Sequence, residues 1–113
     1  MIPSSVRIWV CTQPVDMRKG FDRLALVARE RCEVELEGGG AVVVFTNKRA
    51  TRLKLIWCDA TGCCVLYKRA HRVRFRLPGW GGSTTSVVID AHEVGRLIAG
   101  EAHAEKNRRA VVH

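Results

Sequence analysis

An α+β domain, a mostly antiparallel β-sheet with two helices packed on it, is the fold class this sequence predicts. Three observations lead there: short runs in which apolar and polar residues alternate, two stretches with apolar residues every three or four positions, and the order strand, helix, several strands, helix. A chain of 113 residues has material for one hydrophobic core. Residues 1–100 are therefore expected to form a single domain, followed by a mobile charged tail over 101–113.

Each element follows from local pattern. Val6 to Cys11 alternates, with Val6, Ile8 and Val10 on one side and Arg7, Trp9 and Cys11 on the other, until Pro14 ends the strand. Asp16 is placed to cap a helix, and Phe21, Leu24, Val27 or Ala28 and Cys32 recur at helical spacing, so a helix is predicted over Met17–Arg31 with Gly20 in its first turn. Glu30, Glu33, Glu35 and Glu37 lead into Gly38, Gly39 and Gly40, an acidic turn. Ala41 to Phe45 is an unbroken β-branched run, short enough for a buried central strand.

Arg52 to Cys58 sets Leu53, Leu55 and Trp57 against Arg52, Lys54 and Ile56. Asp59-Ala60-Thr61-Gly62 supplies turn chemistry before Cys63 to Arg69, so the two runs predict a hairpin. Val73, Phe75 and Leu77 alternate with Arg72, Arg74 and Arg76, predicting a further strand that shows apolar groups to the core and arginines to solvent. Pro78 to Ser83 reads as a glycine-rich loop carrying Trp80, and Val87 to Ile89 as a short strand. Asp90 and Glu93 have capping-box spacing, Val94, Leu97 and Ile98 form the apolar stripe of a second helix, and Gly100 ends it. The resulting sheet should turn an apolar face to the helices and an arginine-bearing face to water.

Charge is the most telling compositional feature. The chain carries a formal +8, and residues 41–89 hold nine basic side chains against the single acid Asp59. Both flanking segments are balanced, so the whole excess sits in the middle. Clustered positive charge attracts polyanions, nucleic acid foremost. The candidate DNA-binding residues are Lys48, Arg49, Arg52, Lys54, Lys68, Arg69, Arg72, Arg74 and Arg76. Trp57, Trp80 and Tyr67 are able to stack on unpaired bases; Trp57 has the parity of the core residues Leu53 and Leu55, and Trp80 is the freer candidate.

Other chemistries find little support. Five cysteines at irregular spacing make a poor disulfide framework and read as small buried hydrophobes, and they lack the paired spacing of a zinc site. The carboxylates fit caps and turns, the histidines are scattered, and neither a nucleophile elbow nor a phosphate-binding loop with its lysine is present. No catalytic residue, metal or other cofactor is expected. No apolar run approaches the roughly 20 residues of a membrane span, and the first seven residues lack signal-peptide character, so a cytoplasmic protein without membrane contact is expected.

Several blocks, in order, point to one family. Arg7-Ile8-Trp9-Val10 followed by Asp16-Met17-Arg18-Lys19-Gly20-Phe21-Asp22-Arg23-Leu24 resembles the opening of the TnpB-type accessory proteins of the bacterial insertion-sequence family numbered sixty-six. Val44-Phe45 through Lys48-Arg49, then Arg52 to Asp59, Gly62 and Lys68-Arg69, continue the resemblance, which covers about residues 2 to 100. It departs at Leu77, where the family usually places an aromatic before the proline, and at Ala50-Thr51, where an acidic residue is usual. The resemblance implies an accessory role in transposition, beside a separate transposase and without strand cleavage by this chain; the expected function is DNA binding through the basic sheet face, and the alternative is a protein-interaction subunit of the transposase complex with no direct DNA contact. It supplies no catalytic residues to carry over.

Overall fold

A computed structural model describes residues 6–100, so the expected tail over 101–113 lies outside the described residues. Five strands, β1 (Arg7–Cys11), β2 (Ala41–Thr46), β3 (Arg52–Asp59), β4 (Gly62–Arg69) and β5 (Ser86–Ile89), form one sheet in the order β4-β3-β2-β1-β5. Two helices accompany it, α1 (Phe21–Val27), which runs on into a wider π-helical turn over Ala28–Cys32, and α2 (Ala91–Ala99). Every neighbouring pair is antiparallel except β1 and β2, which run parallel with Ile8 opposite Val42 and Val10 opposite Val44. Parallel neighbours need a long crossover, and α1 supplies it. The α+β class predicted from pattern is the one observed.

The central strand explains the layering. Val42 and Val44 point to one side of β2, where they pack with Ile8, Val10, Leu53, Leu55, Phe75, Leu77, Val94 and Leu97. Val43 and Phe45 point to the other, where they pack with Leu24, Ala28, Cys32, Leu36 and Ile56. A strand with both faces buried must be apolar at every position, which is what the run Ala41–Phe45 already encoded. This corrects the expectation of an open, arginine-bearing sheet face: α2 covers one side and α1 the other, so no broad face is left for the charges.

Three further expectations are corrected. The first helix begins at Phe21, with Gly20 as its cap residue, and not at Met17. Asp16 is occupied instead, because its carboxylate accepts from the Arg18 backbone N–H at 2.9 Å and from the Arg18 guanidinium at 2.7 Å. Arg72 to Leu77 is not a strand, since Arg72 adopts a left-handed conformation (φ 65°) that turns the chain away from the line of β4. The alternation survives the loss of the ladder, with Phe75 and Leu77 buried and Arg72, Arg74 and Arg76 exposed. Lastly, Cys58 and Cys63 are joined as a disulfide. They face each other directly across the β3–β4 hairpin with Cα atoms 3.9 Å apart, a proximity that irregular spacing in sequence concealed.

Helix α2 forms as its sequence dictates. Asp90 accepts from the Glu93 N–H at 2.8 Å while the Glu93 carboxylate accepts from the Asp90 N–H at 2.9 Å, a reciprocal capping box. Gly100 closes the helix at φ 72°, where a Cβ would come within 2.9 Å of Val73.

Candidate nucleic-acid interface

With both faces covered, charge is left to the two ends of the sheet. The register shows which residues share an end: Thr46 lies opposite Leu53 and Arg52 opposite Arg69 at one, and Asp59 lies opposite Gly62, with Ile8 opposite both Val42 and Ile89, at the other. The predicted cations gather at the first.

Two segments build that end. Residues 47–51 form a tight turn held by Asn47, whose Oδ1 accepts from the N–H groups of Thr51 (2.9 Å) and Arg52 (3.0 Å), while its Nδ2 donates to the Thr51 hydroxyl at 3.0 Å. Short Asn side chains favour such local bonds, and the turn leaves Lys48 and Arg49 exposed at its tip. Residues 70–85 form a strap from β4 to β5. The Ala70 N–H donates to the Thr51 carbonyl (2.8 Å) and the Phe75 N–H to the Ala50 carbonyl (2.7 Å), so strap and turn are bonded backbone to backbone. Farther on, the Gly81 N–H donates to the Thr12 carbonyl at 3.1 Å, and Gly79 (φ 73°) fits where a Cβ would meet Val87 at 2.5 Å. Buried Phe75 and Leu77 anchor the strap from beneath, which turns Arg74 and Arg76 outward.

Of the nine predicted residues, Lys48, Arg49, Arg52, Arg69, Arg72, Arg74 and Arg76 are exposed and belong to this turn, this strap or the strand ends beside them. Lys54 and Lys68 are half-buried and turned inward. The Lys54 ammonium donates to the carbonyls of Met17 and Lys19, both at 2.8 Å, and lies 5.3 Å from the centroid of the Tyr67 ring. On the opposite face, the Lys68 ammonium donates to the Ile98 carbonyl at 2.8 Å, placing a cation at the negative end of α2. These two lysines fasten neighbouring elements to the cationic end.

Lys54 thereby brings in residues that sequence reasoning did not assign to the site. The segment around residues 15–19 lies against the start of β3, and a cleft of about 550 Å³ opens between Val15, Asp16, Met17 and Arg18 on one side and Asn47, Arg52 and Tyr67 on the other. Arg18 is exposed and pairs with Asp16 at 2.7 Å, and its hydrogen bond holds the Asp16 carboxyl well below the usual carboxylate range. Tyr67 is half exposed on the edge strand. Its parity with Val65 and Arg69 was the available signal. Trp80, the other stacking candidate, is partly buried against the core beneath the strap.

Asp59, the sole acid of the basic segment, sits at the far end. Its Oδ1 accepts from the Thr61 N–H, the Thr61 hydroxyl and the Gly62 N–H, and these bonds, the Thr61 N–H first, lower its pKa. The thiols of Cys11 and Cys32 are buried in the α1-side core. A hydrogen bond from Cys32, supported by Arg31, lowers Cys11 to about 6 and correspondingly raises Cys32.

The sequence matches the model of the IS66 Orf2-like protein family over residues 6–108. The chain belongs to that family. Among its relatives is the uncharacterized protein y4hO of Sinorhizobium fredii, 35% identical over 102 residues that cover 88% of this chain and 86% of the relative. A second uncharacterized protein of the same organism, y4jC, is 35% identical over 79 residues, covering 65% of this chain and 62% of the relative. No solved structure matches. Family membership ties the chain to transposition by an insertion sequence, and among the described residues no helix is long and apolar enough to cross a membrane.

Proposed function

We propose that this IS66 Orf2-like protein assists transposition by holding DNA through its cationic sheet end, with no chemistry of its own. The supporting observation is the backbone bonding of the 47–51 turn to the 70–85 strap, which groups Lys48, Arg49, Arg52, Arg69 and Arg74 at one pole of the molecule. Guanidinium groups displayed this way suit the phosphate backbone, and each neutralised phosphate releases counterions, which makes affinity steeply salt dependent and indifferent to sequence. The DNA of a bacterial insertion sequence is cytoplasmic, so this reading places the protein there.

The test is duplex affinity over a salt series for the natural chain and for a variant with Arg72, Arg74 and Arg76 all replaced by alanine. The expected result is tight binding at low salt, a clear loss in the variant, and a slope of log affinity against log salt shallower by about 3. Absent binding at low salt, or indifference to the triple change, contradicts the reading. A chain that fails to bind DNA yet co-purifies with the element's transposase after nuclease treatment would reassign the same cations to an acidic protein surface. Product formed with magnesium or manganese present would contradict the non-enzymatic part.

A further inference from the structure

We propose that the cleft beside Tyr67 receives one unpaired nucleotide of single-stranded DNA, its base stacked on the Tyr67 ring and its phosphate held by Arg52 and Arg69. The inference rests on the DNA-binding reading above and specifies the form of DNA that one part of the cationic end accepts.

An aromatic residue placed for packing would be buried, but Tyr67 is 51% exposed on β4, which has a neighbour on one side only. The exposed ring is held in place nonetheless. The Lys54 ammonium, fixed by its bonds to the Met17 and Lys19 carbonyls, lies over one face of the ring at 5.3 Å from its centroid, so the face offered to a base is the opposite one. A pre-positioned ring loses little freedom when a base stacks on it, and every base offers a π face.

The phosphate ligands lie alongside. Tyr67 is opposite Lys54 and Arg69 is opposite Arg52, so all four side chains project from the same face of the β3–β4 ladder. Direct cross-strand neighbours stand about 5 Å apart and diagonal ones about 7–8 Å, which makes Arg69, two residues along β4, and Arg52, on the diagonal, the next same-face neighbours of the ring. The cleft in front has about 550 Å³, within the usual range for small-ligand sites. Its cationic wall comes from Arg52, and the Asp16 carboxylate that would repel a phosphate is neutralised by its ion pair with Arg18. A base in duplex DNA has both faces stacked and its pairing edge occupied, so this site selects the unpaired state.

The experiment is fluorescence anisotropy with a labelled oligothymidylate, a strand of equal length carrying abasic positions, and a duplex, using the natural chain, Tyr67→Ala and Tyr67→Trp. Abasic positions keep the phosphates and remove the stacking partners. The natural chain should prefer oligothymidylate over the abasic strand by about tenfold, Tyr67→Ala should lose that preference, and Tyr67→Trp should keep it. In Tyr67→Ala the loss of affinity should be larger for oligothymidylate than for the abasic strand or the duplex, because the backbone contacts remain. Equal affinity of the natural chain for oligothymidylate and the abasic strand, or a Tyr67→Ala loss shared equally by all three probes, overturns the proposal. Binding to duplex alone also overturns it and leaves the broader DNA reading standing, whereas binding to none of the probes removes both.

Discussion

At the end of the sheet where β2 leads into β3, the exposed side chains include Lys48, Arg49, Arg52, Arg69 and Arg74, whereas around the opposite end they include Glu35, Glu37, Asp59, Asp90 and Glu93. The acids of the far end have local work: Asp59 closes a hairpin, Asp90 and Glu93 cap α2, and Glu35 pairs with Arg29 at 2.7 Å. At the cationic end Lys54 and Lys68 bond to backbone carbonyls, and the side chains of Lys48, Arg49, Arg74 and Arg76 are exposed. Neither end is pure, since Arg7 sits near the acidic one and Asp16 and Asp22 near the cationic one. What the contrast teaches is that a sheet buried on both faces sorts its charge along the strands, by which end a residue occupies.

The largest expected effect breaks the comparison directly. Replacing Lys48, Arg49 and Arg52 together by alanine should weaken duplex binding at low salt by about tenfold or more and flatten the salt slope by about 3, measured by anisotropy. The matching far-end change, Glu35, Glu37 and Glu93 to alanine, should leave that slope unaltered. Next in size, Gly79→Ala forces a Cβ toward Val87 at a left-handed position and should cost about 1–3 kcal/mol in denaturant unfolding. Gly62, at the acidic end, has open space around it and an ordinary backbone, so Gly62→Ala should cost less than about 0.5 kcal/mol.

A smaller effect is expected from Asp90→Ala. Loss of the cap should cost about 1 kcal/mol while DNA affinity stays unchanged, because the capped terminus is remote from the cations. Smallest of all is the acid titration of Asp16. Its folded pKa lies below the ordinary 3.8, so its contribution to stability is present above that value and fades as pH falls through the depressed one. A carboxyl NMR titration should place its midpoint below 3.8, and Arg18→Ala should return it toward 3.8.

Much of the fold was legible because period and capping are local signals. The β2 run, the β3–β4 hairpin, the Asp90 box and the Gly100 stop each depend on neighbours a few residues away. The errors came from contacts between distant segments. That Ile56 and Cys58 are buried beneath α1 depends on a crossover no local pattern reports, and it removes the open face that Arg52 and Lys54 had suggested. Arg72 to Leu77 kept a strand's alternation for another reason, since a strap lying on a core also buries every second residue. The cationic residues were legible as a group through composition, but the inward roles of Lys54 and Lys68 depend on carbonyls about thirty or more positions away. Tyr67 gained its interest from being at an edge, and strand order is not written in the alternation.

The proposed DNA-facing surface is one end of this molecule. Backbone amide shifts recorded by NMR while duplex DNA is added test that most directly. Perturbations should concentrate in residues 47–52 and 69–76. Changes centred instead on residues 33–40, the 59–62 turn or the start of α2, or no changes at low salt, would contradict it.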